Sequence, residues 1–278
     1  MTAIGVFYFA TEYGHGVVDV ARDVERRGFE SLWLPEHTHI PTSRKSPYAG
    51  GGELPKEYAH TLDPFMALAA VATATKSIRL ATGISLLIER DTITPAKTVA
   101  TLDVLSNGRV ILGVGGGWNR EEAEHHGVDW SQRFRKLEEQ IDALKAIWGN
   151  DEASFHGEHI QFDPIWSWPK PRQRPHPPIV LGGETDHSLR RVIKHCDGWL
   201  PRARDPEFVF RGIERLYQLA EEAGRDPDSI SVNVFAPRPE PELIDRFKSK
   251  GVERIVLWLP PEDHDAVSRR LDSYMAFL

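Results

Sequence analysis

Residues 110–118 read VILGVGGGW, an apolar strand that runs straight into three consecutive glycines and a tryptophan. Apolar residues at successive positions, with no polar alternation, mark a strand covered on both faces, as in a parallel sheet. Gly113, Gly115, Gly116 and Gly117 remove every side chain that could hold a neighbour off, and glycine at a strand end marks a turn, a bulge or a close backbone approach. The same alternation extends outward on both sides. Upstream, TPAKTVATLDVLSNG (94–108) has a helical pattern and IRLATGISLL (78–87) a strand pattern. Downstream, residues 132–148 place Phe134, Leu137, Ile141, Leu144, Ile147 and Trp148 on one helical stripe.

Toward the N-terminus, IGVFYF (4–9) and SLWLP (31–35) are strands. Between them lies a helix over 15–28, with Val17, Val20, Ala21 and Val24 on one face and Gly28 to stop it. Asp63 followed by Pro64 opens another helix over 63–75. Toward the C-terminus the strands are 178–183, 197–201, 229–235 and 254–259, each followed by a helix: 186–195, 206–223, 239–249 and 262–277. Eight strands alternating with eight helices predict an α/β fold, a single (β/α)8 TIM barrel spanning residues 1–278. An open doubly wound sheet is the alternative. A long loop follows strand 2 (36–62), and an insertion (149–178) precedes strand 5. The core of that insertion, SFHGEHIQF, reads as a hairpin. In a barrel the loops after strands build the site, so the first loop is expected to form an entrance or lid.

The 278 residues carry a net charge of −7, which argues against a nucleic-acid partner. No apolar run approaches the ~18 residues that span a membrane, and the opening MTAIGVFYFATEYG reads as a first strand rather than a signal peptide. The one cysteine, Cys196, rules out an internal disulfide and reads as a small core residue. A soluble, cytoplasmic protein is expected.

The glycines do not form a dinucleotide fingerprint. Counting from Gly113 the sixth position is Trp118, and counting from Gly115 it is Arg120. No phosphate-loop or nucleophile-elbow motif occurs. What remains is bare backbone at a strand end, followed by a helical NREEAEHH, with a second case in VLGGETDHSLRR. Helix N-termini present free N–H groups and partial positive charge that suit phosphate. Two such turns on one barrel face fit a flat cofactor with a phosphate tail.

GVGGGWNREEAEHHGVDWSQRFRKLEEQIDALKAIW and SFHGEHIQFDPIWSWPKPRQRPHPPIVLGG, together with SLWLPEH, LATGISLL and AEEAGRDPDSISV, resemble the luciferase-like monooxygenase superfamily. The likeness is greatest to its F420-dependent oxidoreductase branch. The resemblance implies an eight-stranded barrel, often a homodimer, that binds coenzyme F420 or FMN at the C-terminal face. It places Glu36 and His37, in PEH, where deazaflavin-dependent relatives carry an acidic residue followed by histidine. Thr82, Gly83 and Ile84 match a segment that meets the ring, with a non-prolyl cis peptide between the last two. Gly115, Gly116, Gly117 and Trp118 match a cofactor-contacting turn, and Leu181, Gly182 and Gly183 the phosphate turn. Glucose-6-phosphate-specific relatives have a glutamate after the fourth strand, where this chain continues Gly116, Gly117, Trp118; a sugar phosphate is therefore disfavoured.

Histidine suits the proton transfer that accompanies hydride transfer because its pKa lies near working pH. His37 is the candidate acid–base residue, with His39 its rival and Glu36 beside it. His37 and His39 alone do not make a metal site, and no H-E-x-x-H motif is present, so no metal is expected. His125, His126, His156 and His159 read as loop or solvent residues. Trp118, Trp166 and Trp168 read as packing, and Arg44, Lys45 and Lys56 supply a basic loop suited to an anionic cofactor tail. The function expected is F420-dependent hydride transfer to or from a small organic molecule. An FMN-dependent two-component monooxygenase and a non-catalytic flavin-binding protein are the alternatives.

Overall fold

The computed structural model describes residues 1–48 and 50–278. In chain order its elements are β1 (Ala3–Tyr8), α1 (Val17–Arg26), β2 (Ser31–Leu34), α2 (Glu57–His60), α3 (Pro64–Ala74), β3 (Arg79–Thr82), α4 (Ile93–Leu105), β4 (Val110–Val114), α5 (Arg120–His125) and α6 (Arg133–Gly149). There follow β5 (Glu152–His156), β6 (Gln161–Trp166), β7 (Ile179–Gly182), α7 (Asp186–His195), β8 (Gly198–Leu200), α8 (Pro206–Glu222), β9 (Ser231–Phe235), α9 (Pro241–Ser249), β10 (Arg254–Leu259) and α10 (His264–Tyr274). Strands β1, β2, β3, β4, β7, β8, β9 and β10 close into a parallel barrel, with β10 pairing back onto β1. The expected hairpin in the insertion is β5–β6, an antiparallel pair outside the barrel.

The helices form where their sequences provide stops and caps. Gly28, at φ +89°, ends the first helical segment in a left-handed conformation that other residues resist. Asp63 accepts a hydrogen bond from the Met66 N–H and is followed by Pro64, so α3 starts with one free donor satisfied and one removed. Val20, Ala21 and Val24 on α1 are fully buried, as are Leu137, Ile141, Leu144, Ile147 and Trp148 on α6; Phe134 is only partly so.

Two apolar layers result. Along β1, Val6 and Tyr8 point outward to the helices while Phe7 and Phe9 point into the barrel, the two-residue period of a strand. The interior is filled by Phe7, Phe9, Trp33, Ala81, Ile111, Val180, Leu200 and Val256. The large Trp33 ring is accommodated by small neighbours: a Cβ at Gly83 or Gly113 would approach it to 3.4–3.5 Å. At Gly113 a Cβ would also lie 2.0 Å from the Thr82 carbonyl oxygen. The first of the four glycines in VILGVGGGW is therefore demanded by the neighbouring strand itself.

The sequence pattern carries strand β3 on to Leu87, and the structure corrects this. The regular strand ends at Thr82 with a cis Gly83–Ile84 peptide, Ser85 makes one last bridge to Val114, and Leu87–Glu89 forms a short 3-10 turn. Leu86 and Leu87, which suggested more strand, and Ile88 after them are buried beneath α6, whose Gln140 and Lys136 donate to the carbonyls of Leu87, Arg90 and Ile88.

Candidate active site

The C-terminal ends of the parallel strands share one face, which is where catalytic loops converge in this architecture. His37 follows β2 there, its side chain 7% exposed. Its Nδ1 lies 2.7 Å from Oε2 of Glu122, a fully buried carboxylate on α5, whose Oε1 accepts the Thr38 N–H at 3.0 Å. A carboxylate offers only acceptors, so Nδ1 carries a hydrogen, and in the neutral imidazole Nε2 keeps its lone pair. That lone pair faces the barrel mouth, where the Trp118 indole N–H approaches to a long 3.4 Å. Around it, Tyr58 and Trp118 pack against the imidazole with ring centres 5.4 and 5.8 Å away.

Tyr58 comes from the long loop after β2, and it also meets Phe9 of the interior at 4.8 Å. Tyr48 joins the group, 5.3 Å from Tyr58, and the Arg44 guanidinium lies 5.9 Å from the centre of the Trp118 ring. Lys56 sits instead over Tyr13, at 3.7 Å. The loop is anchored where it passes α5: Ser43 and the Ser46 N–H both donate to Glu121, and the Arg120 N–H donates to Ser46. Part of this loop, at residue 49, lies outside the described residues.

Glu36 is buried beside His37 but is turned away from it. Its Oε2 accepts from Ser85 Oγ and from the Leu86 N–H, both at 2.7 Å, and its Oε1 is bound by Arg90. Arg90 also reaches Asp63, the cap of α3. Glu36 therefore fastens the segment after β3 to the end of β2. The carboxylate that touches the imidazole is Glu122, which the sequence reading did not single out. Its signal was present but misleading: Asn119 and Glu122 have the N-cap to N3 spacing of a capping box, and Asn119 does accept the Glu122 N–H. The glutamate side chain, which in that motif turns back to the helix, goes to His37 instead.

A third carboxylate, Glu89, lies close by with its side chain 2% exposed. Burial pushes its pKa up to about 9, reinforced by the negative Glu122 and Glu36 and opposed by Arg90 and Lys136. His126 stands 3.9 Å away, its own pKa pushed down by burial and by the neighbouring His39. His39 lies outside the mouth. Its Nε2 is 2.8 Å from Nδ1 of His125, and Thr38 Oγ1 bridges His39 and His126. The histidines expected to be mere loop residues, His125 and His126, thus form an exposed cluster with His39.

Ile84 ties the glycine turns together. A Cβ at Gly115 would meet its Cδ1 at 2.2 Å, and one at Gly182 would meet its Cγ2 at 3.6 Å. Gly116 is covered by the Phe134 ring, at 2.5 Å from an added Cβ, and Gly117 takes φ +67°. Gly182 is the open position, since nothing stands closer than 3.6 Å to its Cβ direction. Gly183, at φ +131°, leads into α7, whose cap Thr185 accepts from the Ser188 N–H. Glu184, between them, is neutralised by a two-pronged pair with Arg202, both contacts at 2.8 Å. Thr82 spends its hydroxyl on the Gly113 carbonyl at 2.7 Å, and the Leu181 side chain is buried in the outer layer; neither presents a side chain to the mouth.

A family model described as luciferase-like monooxygenase matches residues 3–238. An uncharacterized protein of Mycobacterium tuberculosis (strain ATCC 25618 / H37Rv) is 37% identical over 280 residues, covering 99% of this chain and 98% of its own. An F420-dependent hydroxymycolic acid dehydrogenase of the same strain is 28% identical over 213 residues, 76% of this chain and 55% of that protein. An FMNH2-dependent dimethylsulfone monooxygenase of Pseudomonas putida is 43% identical over 143 residues, 50% of this chain and 39% of that protein. Among solved structures, the monooxygenase RslO1 from Streptomyces bottropensis superposes with a TM-score of 0.82 at 18% identity, over 100% of this chain and 98% of that one. An F420-dependent secondary alcohol dehydrogenase in complex with an F420–acetone adduct gives 0.78 at 19% identity, with the same coverage. No helix among the described residues is long and apolar enough to cross a membrane.

Proposed function

The chain belongs to the luciferase-like monooxygenase family, and from that premise we propose that it is an F420-dependent oxidoreductase acting on a small organic substrate, with His37 as its acid–base residue. The observation that carries this reading is the His37–Glu122 pair. The buried carboxylate fixes the tautomer and leaves the Nε2 lone pair in the barrel mouth. This is the arrangement a general base needs.

When bound, a deazaflavin gives or accepts a hydride at its ring. For oxidation of a secondary alcohol, His37 Nε2 would accept the hydroxyl proton as the carbon-bound hydride is lost to the bound cofactor, leaving a carbonyl. Run in reverse, His37 returns the proton to the oxygen. Glu122 stabilises the imidazolium formed in the forward step. Trp118 and Tyr58 hold the imidazole plane and exclude water from it. The bare backbone at Gly182, open to 3.6 Å and next to the α7 N-terminus, would receive the cofactor's phosphate. Ile84 offers an apolar surface to a flat ring. Glu36 acts as a positioning residue in this scheme, because both its oxygens are committed.

The second reading, an FMN-dependent monooxygenase, draws on the relative named above that uses FMNH2. Titrating the purified protein with F420 and FMN, following tryptophan fluorescence, separates the two; micromolar FMN binding with no response to F420 refutes the proposal. His37→Ala should keep F420 affinity within a few-fold and lower turnover by about 10²–10⁴-fold. His39→Ala, outside the mouth, should be milder; a larger loss there moves the role to His39. The homodimer implied by the resemblance should appear in light scattering as twice the 31.4 kDa chain mass.

A further inference from the structure

The geometry points to a divalent transition-metal site, of a kind that takes zinc, formed by His15, Asp23 and His264 between the first and last helices of the barrel. His15 lies in the loop after β1, Asp23 faces it from α1, and His264 is the first residue of α10. One ligand atom from each lies within 4.8 Å of the other two. The imidazole nitrogens, Nε2 of His15 and Nδ1 of His264, are 3.3 Å apart. Two nitrogens bound tetrahedrally to zinc at about 2.1 Å stand about 3.4 Å apart. The two nitrogens, at hydrogen-bond distance in the ion-free protein, already stand at the spacing two ligands of one centre would take.

The third ligand supplies the independent sign. Asp23 has its side chain 8% exposed, and its Oδ1 is occupied by Arg26 at 2.5 Å. Its Oδ2 is sealed from solvent and has no hydrogen-bond partner among the described residues. A buried carboxylate oxygen left without a donor is costly, and a cation held by the two imidazoles relieves that cost. The frame is fixed before any ion arrives. The His15 N–H donates to the Glu262 carbonyl, and Tyr8 Oη donates to the His15 carbonyl. Asp263 caps α10 immediately before His264. Two nitrogens and one oxygen suit zinc, nickel or copper rather than magnesium or calcium. With His264 exposed to solvent, a fourth position stays open to water.

The site sits over the seam where β10 pairs back onto β1, and α1 and α10 are already joined there by Arg27 to Asp272 and Ser268. Its role is a clasp across that seam. No local motif announces it, because the two histidines are 249 residues apart.

Tag-free protein stripped with a chelator and titrated with zinc chloride tests it, by competition with a chromophoric chelator and by thermal unfolding. The wild type should bind one equivalent tightly and unfold at higher temperature with zinc, while magnesium chloride has no effect. His15→Ala, His264→Ala and Asp23→Asn should each weaken zinc binding by more than about tenfold, and His125→Ala, in the other exposed histidine cluster, should not. Should Asp23→Asn fail to fold, His264→Ala at the exposed helix end decides alone. Absence of saturable binding in the wild type overturns the site, as does wild-type affinity in His264→Ala. A loss confined to His125→Ala assigns the zinc to the cluster of His39, His125 and His126 and overturns it equally.

Discussion

Replacing Glu89 with glutamine should make the protein more stable, and increasingly so as the pH rises. The carboxyl is pushed from its ordinary 4.5 up to about 9, chiefly by burial and then by repulsion from Glu122 and Glu36. Between those values the folded protein retains a proton that the unfolded chain has already released. Stability is thus fully present below the unfolded pKa and declines as pH rises toward 9, by about 1.4 kcal/mol per pH unit. Glutamine has the same shape and no proton to lose. From about pH 6.5 to about pH 8.5 the advantage of Glu89→Gln over wild type should grow by about 2.5 kcal/mol. Groups that titrate in this window away from Glu89 do so in both proteins and largely cancel in the difference. Urea unfolding followed by tryptophan fluorescence at several pH values measures it, provided the slope with denaturant is the same for the two proteins. A difference that stays constant across the range refutes the reasoning, because it means the Glu89 carboxyl ionises in the folded state as it does in water.

Glu122→Gln places an amide against His37 Nδ1, favours the other tautomer, and should lower turnover by about 10²–10⁴-fold with F420 affinity within a few-fold; an equal fall in both quantities makes Glu122 structural. Gly113→Ala drives a Cβ to 2.0 Å from a backbone oxygen and should cost about 1–3 kcal/mol or more in unfolding experiments. Gly182→Ala, with 3.6 Å of clearance, should leave the thermal midpoint nearly unchanged while weakening cofactor binding; unchanged binding removes Gly182 from the cofactor site. Arg109, 8% exposed, donates to the carbonyls of Ser106, Ile78, Ala72 and Thr75 and to Thr75 Oγ1. Arg109→Met strips donors from this buried set and should destabilise by about 3–5 kcal/mol; a loss below about 1 kcal/mol would show that water replaces the guanidinium.

What could be read from the sequence, and what could not, divides according to how local the cause is. The alternation of apolar strands and one-faced helices is written in neighbouring residues, so the barrel, the hairpin insertion and the caps at Asp63 and Gly28 were all legible. The end of β3 was not, because Leu86, Leu87 and Ile88 are apolar for a tertiary reason: they are roofed by α6 some fifty residues further on. The site shows the same division more sharply. His37 could be placed at a strand end, but its partner is 85 residues away on a helix whose local pattern reads as a cap. Three carboxylates, Glu36, Glu89 and Glu122, converge beside it, and the environment assigns each a different task. Glu36 has an arginine and two further donors, so it serves as a fastening. Glu122 has the imidazole and a backbone N–H, so it can fix a tautomer. Glu89 has an unpartnered oxygen and two negative neighbours, so it holds a proton instead. Residue type is the same in all three, and only the surrounding donors distinguish them. A glutamate's role in this barrel is therefore decided by the three-dimensional count of donors around it, which spacing along the chain does not encode.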